Sequence, residues 1–181
     1  FSLASILFKI EKPTIGILNV GTENIKGNDE IKNASDRLSE LKKSGSINYY
    51  GYIEGNDISI GKTNVVVTDG FTGNIALKTA EGTAKLFQKH LNSAYTSSLI
   101  SKLGYFLSSI SLRSVRERLD PRVHNCGIFM GLNALVVKCH GQSDFKGVSY
   151  AADIIYSLLV NDVNEKIKKY VTEIQDNIAI K

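Results

Sequence analysis

One segment limits the fold more than any other. Asn64-Val65-Val66-Val67-Thr68-Asp69 runs directly into Gly70-Phe71-Thr72-Gly73-Asn74, and an apolar stretch with helical spacing follows from about Ile75 to Leu91. Three consecutive valines favour extended backbone. A run without polar alternation predicts a strand buried on both faces. The same order occurs earlier: an apolar run, Thr14 to Val20, leads through a polar glycine-containing loop to Asn28. Asn28 is placed to N-cap a helix carrying Ile31, Ala34, Leu38 and Leu41, which Gly45 closes. Ile47 to Ile53 reads as the next strand. Strands that alternate with helices predict an α/β fold with a largely parallel sheet. Ligands then sit at the carboxyl ends of the strands, so the loops to watch are Asn19–Asn28, Asp69–Asn74 and His140–Asp144.

The remaining chain fits the same class. Ser2 to Lys9 reads as a helix that stops before Pro13. Tyr95 to Arg118 carries the apolar stripe Leu99, Ile100, Leu103, Phe106, Leu107 and Ile110, with Gly104 expected to divide it. Cys126–Met130 and Leu135–Lys138 read as short strands. Val148 to Ile178 reads as a long amphipathic helix interrupted near Asn161-Asp162. Glu81 and Lys85 are spaced for an ion pair.

Charge and cysteines narrow the function classes. Net charge is only +4, which gives no argument for nucleic acid. Yet Arg113, Arg116, Arg118 and Arg122 fall within ten residues, a cluster suited to acidic partners, anionic lipid or phosphate. Cys126 and Cys139 lie in apolar runs, as small buried hydrophobes do, and His90, His124 and His140 are scattered, so no zinc pattern forms. A reducing cytoplasmic compartment is the natural reading. No apolar run approaches the roughly 20 residues that span a bilayer. The only Met is Met130 and the sequence starts at Phe1, so a processed product or a piece of a longer chain is expected.

Three motifs invite a catalytic reading. Gly55 to Thr63 imitates a Walker A loop, but five residues separate its glycines and it leads into the valine strand rather than a helix. Asp69-Gly70-Phe71-Thr72-Gly73-Asn74 has better context. Its glycines admit close backbone approach, its helix start favours an anion, and Lys78 lies one turn on. The plain alternative is a tight turn with Asn74 as N-cap. Val136-Val137-Lys138-Cys139-His140-Gly141 ends a strand in basic residues. Cys139 and His140 are adjacent, so on a strand they face opposite sides, which speaks against a Cys–His nucleophile.

Taken together, three blocks resemble the bacterial phosphate acyltransferases of phospholipid synthesis. They are Leu18-Asn19-Val20-Gly21 with Lys26-Gly27-Asn28, then Val65 to Gly82, then Gly131-Leu132-Asn133 with Val136 to Gly141. The resemblance implies transfer of a fatty acyl group from acyl carrier protein to inorganic phosphate, giving acyl phosphate, with no metal or cofactor. It implies a three-layer, mostly parallel sheet similar to the isocitrate and isopropylmalate dehydrogenases and to phosphotransacetylase. It also implies a homodimer at the membrane surface. Lys26, Asn74, Lys78 and His140 are then the expected catalytic residues. Asn19, Gly21, Gly27, Asn28, Asp69, Gly70, Phe71, Gly73, Lys138 and Gly141 are expected to bind substrate. Residues 95–120 would form protruding helices for dimer or membrane contact, with Leu103, Phe106 and Leu107 toward lipid or the second copy. Arg113, Arg116, Arg118 and Arg122 would face acidic carrier protein or anionic lipid. The sequence departs from the family at Asn56, where a basic residue is usual, at Thr22, where Glu is common, and at Cys126, where Gly is common. Residues 1–181 would be the C-terminal part of such an enzyme, inactive alone and exposing apolar surface. The rivals are a nicotinamide-dependent decarboxylating dehydrogenase of similar fold and a non-catalytic dimerisation or membrane-docking module.

Overall fold

The computed structural model describes residues 1–118, 126–139, 141 and 143–179. In chain order the elements are α1 (Ser2–Phe8), β1 (Thr14–Leu18), α2 (Asp29–Lys43), β2 (Asn48–Ile53), α3 (Gly55–Ile60), β3 (Val65–Val67), α4 (Gly70–Thr96), α5 (Leu99–Arg118), β4 (Cys126–Phe129), β5 (Val136–Cys139), α6 (Phe145–Val160) and α7 (Val163–Ala179). The chain divides into two compact units. The first comprises Phe1–Asp69, Met130–Val136 and the chain from Ile154; the second comprises Gly70–Phe129 and Val137–Asp153.

The first unit is built on a parallel sheet of order β2-β1-β3. The apolar run of β1 makes it the central strand, and Ile15, Ile17 and Leu18 are buried there. Burial of such side chains contributes about 1.5–3 kcal/mol each. Ile15 and Ile17 join Ile47, Tyr49 and Tyr52 in one core, onto which Leu38 and Leu41 of α2 and Ile174 of α7 pack. Tyr49 donates from its hydroxyl to Ser35 of α2 at 2.8 Å. Gly16 is required: a Cβ there would lie 2.8 Å from Ile53. Between Ile15 and Gly16 the register with β2 shifts, and Tyr50 is the extra residue, beside Gly51 at φ 127°. Tyr170 of α7 stacks on Phe1 at 5.5 Å and donates to the Ser46 carbonyl.

In the second unit α4 and α5 pack against each other, joined by Ser97-Ser98. Ser98 caps α5, its hydroxyl accepting from Ser101 N–H at 3.0 Å. The Tyr95 and Tyr105 rings meet at 5.4 Å. β4 and β5 form a separate two-stranded sheet.

The α/β class and the parallel sheet are as the sequence predicts, and the interruption at Asn161-Asp162 is present, with Asp162 at φ 48°. Other expectations need correction. β3 is not buried on both faces; among the described residues it is an edge strand, and Val67 is 42% exposed. Gly104 does not divide a helix, because the break falls at the serines that cap α5. α4 begins at Gly70 rather than Ile75 and runs to Thr96, so Asn74 lies inside the helix and is not its N-cap. Gly70 and Gly73 take no positive φ, which lets the motif form the first helical turn itself. Glu81 lies 2.9 Å from Lys78. The helix α3 was hidden within the Gly55–Thr63 stretch. Cys126 and Cys139 are half-buried rather than core residues.

Candidate functional site

The first unit gathers one predicted loop into a defined structure. β1 ends at Leu18, β2 ends at Ile53, and these two residues are register partners. Asn19 N–H donates to the Ile53 carbonyl at 2.9 Å, so the segments after both strands start side by side at their carboxyl ends. Asn19 is buried, and its amide is used at both ends. Oδ1 accepts from Val20 N–H at 2.9 Å and Nδ2 donates to the Lys26 carbonyl at 3.3 Å. The side chain thus ties the far end of the loop back to the strand.

Two glycines make that tie possible. Gly27 sits at φ 86°, and a Cβ on it would lie 2.5 Å from Asn19 Oδ1. A Cβ on Gly21 would lie 2.5 Å from Lys26 Cδ and 2.6 Å from Glu23 Oε2. Lys26 and Glu23 therefore fold over the bare Cα of Gly21, with Lys26 Nζ 2.8 Å from Glu23 Oε1. The Glu23 carboxylate holds the Lys26 ammonium above its ordinary range, and Lys26 holds the Glu23 carboxyl below its own. Glu54 adds a weaker pull on Lys26. Asn28 caps α2 as predicted, its Oδ1 accepting from Ile31 N–H at 2.9 Å, with Asp29 and Glu30 in the first turn.

A second group at the end of β2 escaped the sequence reading. Asp57 is buried; its Oδ2 accepts from Glu54 N–H at 3.0 Å and from Lys62 Nζ at 3.0 Å. The Glu54 N–H, then Lys62, hold the Asp57 carboxyl below the usual range, and Asp57 raises the Lys62 ammonium. Lys62 Nζ also lies 5.7 Å from the Tyr50 ring centroid. The available signal was Glu54 and Asp57 three residues apart at a strand end, the spacing of a capping box. Asn56, at the position where the resemblance leads one to expect a basic residue, is exposed on α3. A cavity of about 530 Å³ opens nearby, lined in part by Thr22, Asn24, Ser39, Lys42, Tyr50 and Lys62.

The other predicted residues are distributed as follows. Asp69 is exposed and ends the first unit's N-terminal segment. Gly70, Phe71, Gly73, Asn74 and Lys78 fall in the second unit, on the first turns of α4; Phe71 is 77% exposed and Lys78 lies 2.9 Å from Glu81. Lys138 on β5 and Gly141 are exposed and also belong to the second unit. His140 and Arg122 lie outside the described residues. Arg113 is exposed on α5, and Arg116 and Arg118 are on the same helix. Leu103, Phe106 and Leu107 are 61%, 73% and 74% exposed.

A family model described as fatty acid synthesis protein matches residues 1–166. The chain is 47% identical over 170 residues to a protein of Azorhizobium caulinodans named phosphate acyltransferase, covering 94% of this chain and 48% of the relative. Proteins of the same name from Rhizobium etli and Xanthobacter autotrophicus are 45% and 46% identical, each over 93% of this chain and 49% and 47% of their own lengths. The chain thus spans about half the length of the curated relatives it matches.

Proposed function

This chain belongs to the fatty acid synthesis protein family, and from that premise we propose that it is part of a phosphate acyltransferase that makes acyl phosphate from a fatty acyl thioester and inorganic phosphate. The observation that carries the reading is the Asn19–Asn28 loop at the strand carboxyl ends, which fixes an ammonium over a bare glycine beside a helix N-terminus. Phosphate dianion is already a nucleophile and needs positioning more than deprotonation. Attack on the thioester carbonyl builds charge on its oxygen, and lysines or backbone N–H groups stabilise that charge. The thiolate leaves without strong acid assistance.

In this reading Lys26, with Asn28, meets phosphate or the oxyanion. The same reading gives catalytic roles to Asn74, Lys78 and His140 and substrate-binding roles to Asp69, Gly70, Phe71, Gly73, Lys138 and Gly141. Asn19, Gly21 and Gly27 hold Lys26 where it is. The acyl donor is acyl carrier protein, whose acidic surface suits Arg113, Arg116, Arg118 and Arg122. The complete enzyme is a cytoplasmic homodimer resting on the membrane surface. A docking role for α5 is favoured by Leu99, Ile100, Leu103, Phe106, Leu107 and Ile110, all more than 60% exposed. Among the described residues no helix is long and apolar enough to cross a membrane.

The test is acyl-phosphate formation by the full-length gene product from acyl carrier protein thioester and phosphate. Lys26→Ala and Asn74→Ala should each lower it strongly. Unchanged rates in both would overturn the assignment.

A further inference from the structure

Cys126 opens β4 and Cys139 closes β5. The two strands are neighbours in one sheet, joined by Met130–Leu135. A connection that short cannot make a parallel crossover, so the strands run antiparallel. Each strand has four residues, so one end-to-end register pairs them all; the exposure pattern and the electrostatic action of Cys139 on Cys126 agree with it. From Cys126 to Phe129 the residues alternate half-buried and exposed; from Val136 to Cys139 they alternate exposed and half-buried. In that register Ile128 lies opposite Val137, Gly127 opposite Lys138 and Cys126 opposite Cys139. Every half-buried residue then faces a half-buried one. A slip by one residue would pair half-buried with exposed positions along the whole hairpin.

Both thiols are free, both lie in the second unit, and they share the less exposed face of the hairpin. Directly opposed residues of an antiparallel pair have Cα atoms about 4.5–5.5 Å apart. A disulfide takes Cα separations of about 4.4–6.8 Å. We propose that Cys126 and Cys139 are a redox modification site that closes to a reversible intrachain disulfide. With glutathione disulfide as oxidant, one cysteine thiolate attacks a glutathione sulfur and expels one glutathione thiolate, leaving a mixed disulfide. The second cysteine thiolate attacks the protein sulfur of that intermediate and expels the other glutathione. Two protein thiols are oxidised, one glutathione disulfide is reduced to two glutathione thiols, and the two cysteine protons pass to them. The link would pin the strand end that carries Lys138.

Trypsin separates the partners. Cleavage after Arg122, Lys138 and Lys146 puts Cys126 on the peptide 123–138 and Cys139 on 139–146. The complete, reduced protein is incubated natively with glutathione disulfide, alkylated, digested without reductant and weighed by mass spectrometry. The expected result is the two peptides joined, two hydrogen atoms lighter than their sum, and split by dithiothreitol. In Cys126→Ser the joined species should vanish and Cys139 should carry glutathione instead. Separate glutathione adducts on both cysteines of the unaltered protein, with no joined species, would overturn the proposal. So would a joined species that forms only after unfolding in urea.

Discussion

Replacing Gly27 by alanine isolates the tie between Asn19 and the Lys26 loop. The position has φ 86°, and the left-handed conformation costs a residue with a Cβ about 1–2 kcal/mol. The new Cβ would lie 2.5 Å from Asn19 Oδ1 and 3.1 Å from its Cγ. Asn19 is buried, so its amide must shift and give up the bonds to Val20 N–H and the Lys26 carbonyl. Each is worth about 0.5–1.5 kcal/mol net, which brings the total to about 2–5 kcal/mol. Gly45 supplies the control. It has φ 78° but nothing within 4 Å of its would-be Cβ, so Gly45→Ala should cost the conformational part alone, about 1–2 kcal/mol. Urea denaturation of the complete protein reads both, as shifts of midpoint at constant slope. In an Asn19→Ala background the excess cost of Gly27→Ala over Gly45→Ala should collapse, because the partner of the clash is gone. If Gly27→Ala is no worse than Gly45→Ala, or if its excess survives in Asn19→Ala, the Asn19 tie does not hold this loop.

Other outcomes follow from the same contacts. Lys26→Ala should raise the KM for phosphate by roughly tenfold or more in the complete enzyme, because a charge-assisted hydrogen bond is lost; steady-state kinetics with phosphate varied will show it. The Asp57 carboxyl is held below the usual range when folded, so the stability it lends is full above the unfolded pKa and drains as pH falls toward the lowered one. Asp57→Asn should therefore flatten the fall of the urea midpoint as pH drops below about 5, and an unchanged acid limb would contradict the contact. Leu103→Ser, Phe106→Ser and Leu107→Ser together should weaken binding to anionic vesicles at least about a hundredfold in flotation assays, since each apolar side chain carries about 1.5–3 kcal/mol on burial. Added salt should weaken binding of acyl carrier protein to the complete enzyme, and insensitivity to ionic strength would exclude the arginine cluster as its contact.

Much of the fold was written in local pattern. The Thr14–Leu18 run is short, apolar and bounded by a polar loop, and it became the central strand. Asn28 followed by a helical stripe gave a cap that formed as read. Where long-range packing decides, the local pattern misled. Val65-Val66-Val67 has the composition of a buried strand, but burial depends on what covers its two faces, and among the described residues β3 pairs only with β1 and keeps Val67 exposed. Asn74 looked like a cap because the glycines before it suggested a turn, yet glycine at negative φ joins a helix without steric penalty, and the helix took in the motif. Within the site, Lys26 was legible as a cation near a glycine. Its dependence on Glu23 was not, because a pair three residues apart in a loop meets only if the backbone between them turns, and Gly21 and Gly27 decide that.

The charge balance at the ends of β1 and β2 sets a condition on the phosphate reading. Lys26 and Lys62 stand there against Glu23, Glu54 and Asp57. Lys62 is spent on Asp57, and Lys26 faces Glu23 at 2.8 Å. A carboxylate beside an entering phosphate oxygen opposes it about as strongly as one lysine at the same distance attracts it. A dianion held by this loop alone would gain little. Either Glu23 swings away or further cations contribute; of those assigned above, Lys78 itself faces Glu81 at 2.9 Å and Lys138 is exposed. Removing either should then raise the KM for phosphate although neither belongs to the loop. Glu23→Gln should lower it, because Lys26 no longer has a charged competitor. If Lys78→Ala and Lys138→Ala both leave KM unchanged while Lys26→Ala raises it and Glu23→Gln lowers it, phosphate is held by the first unit alone, and the second-unit motif serves another step.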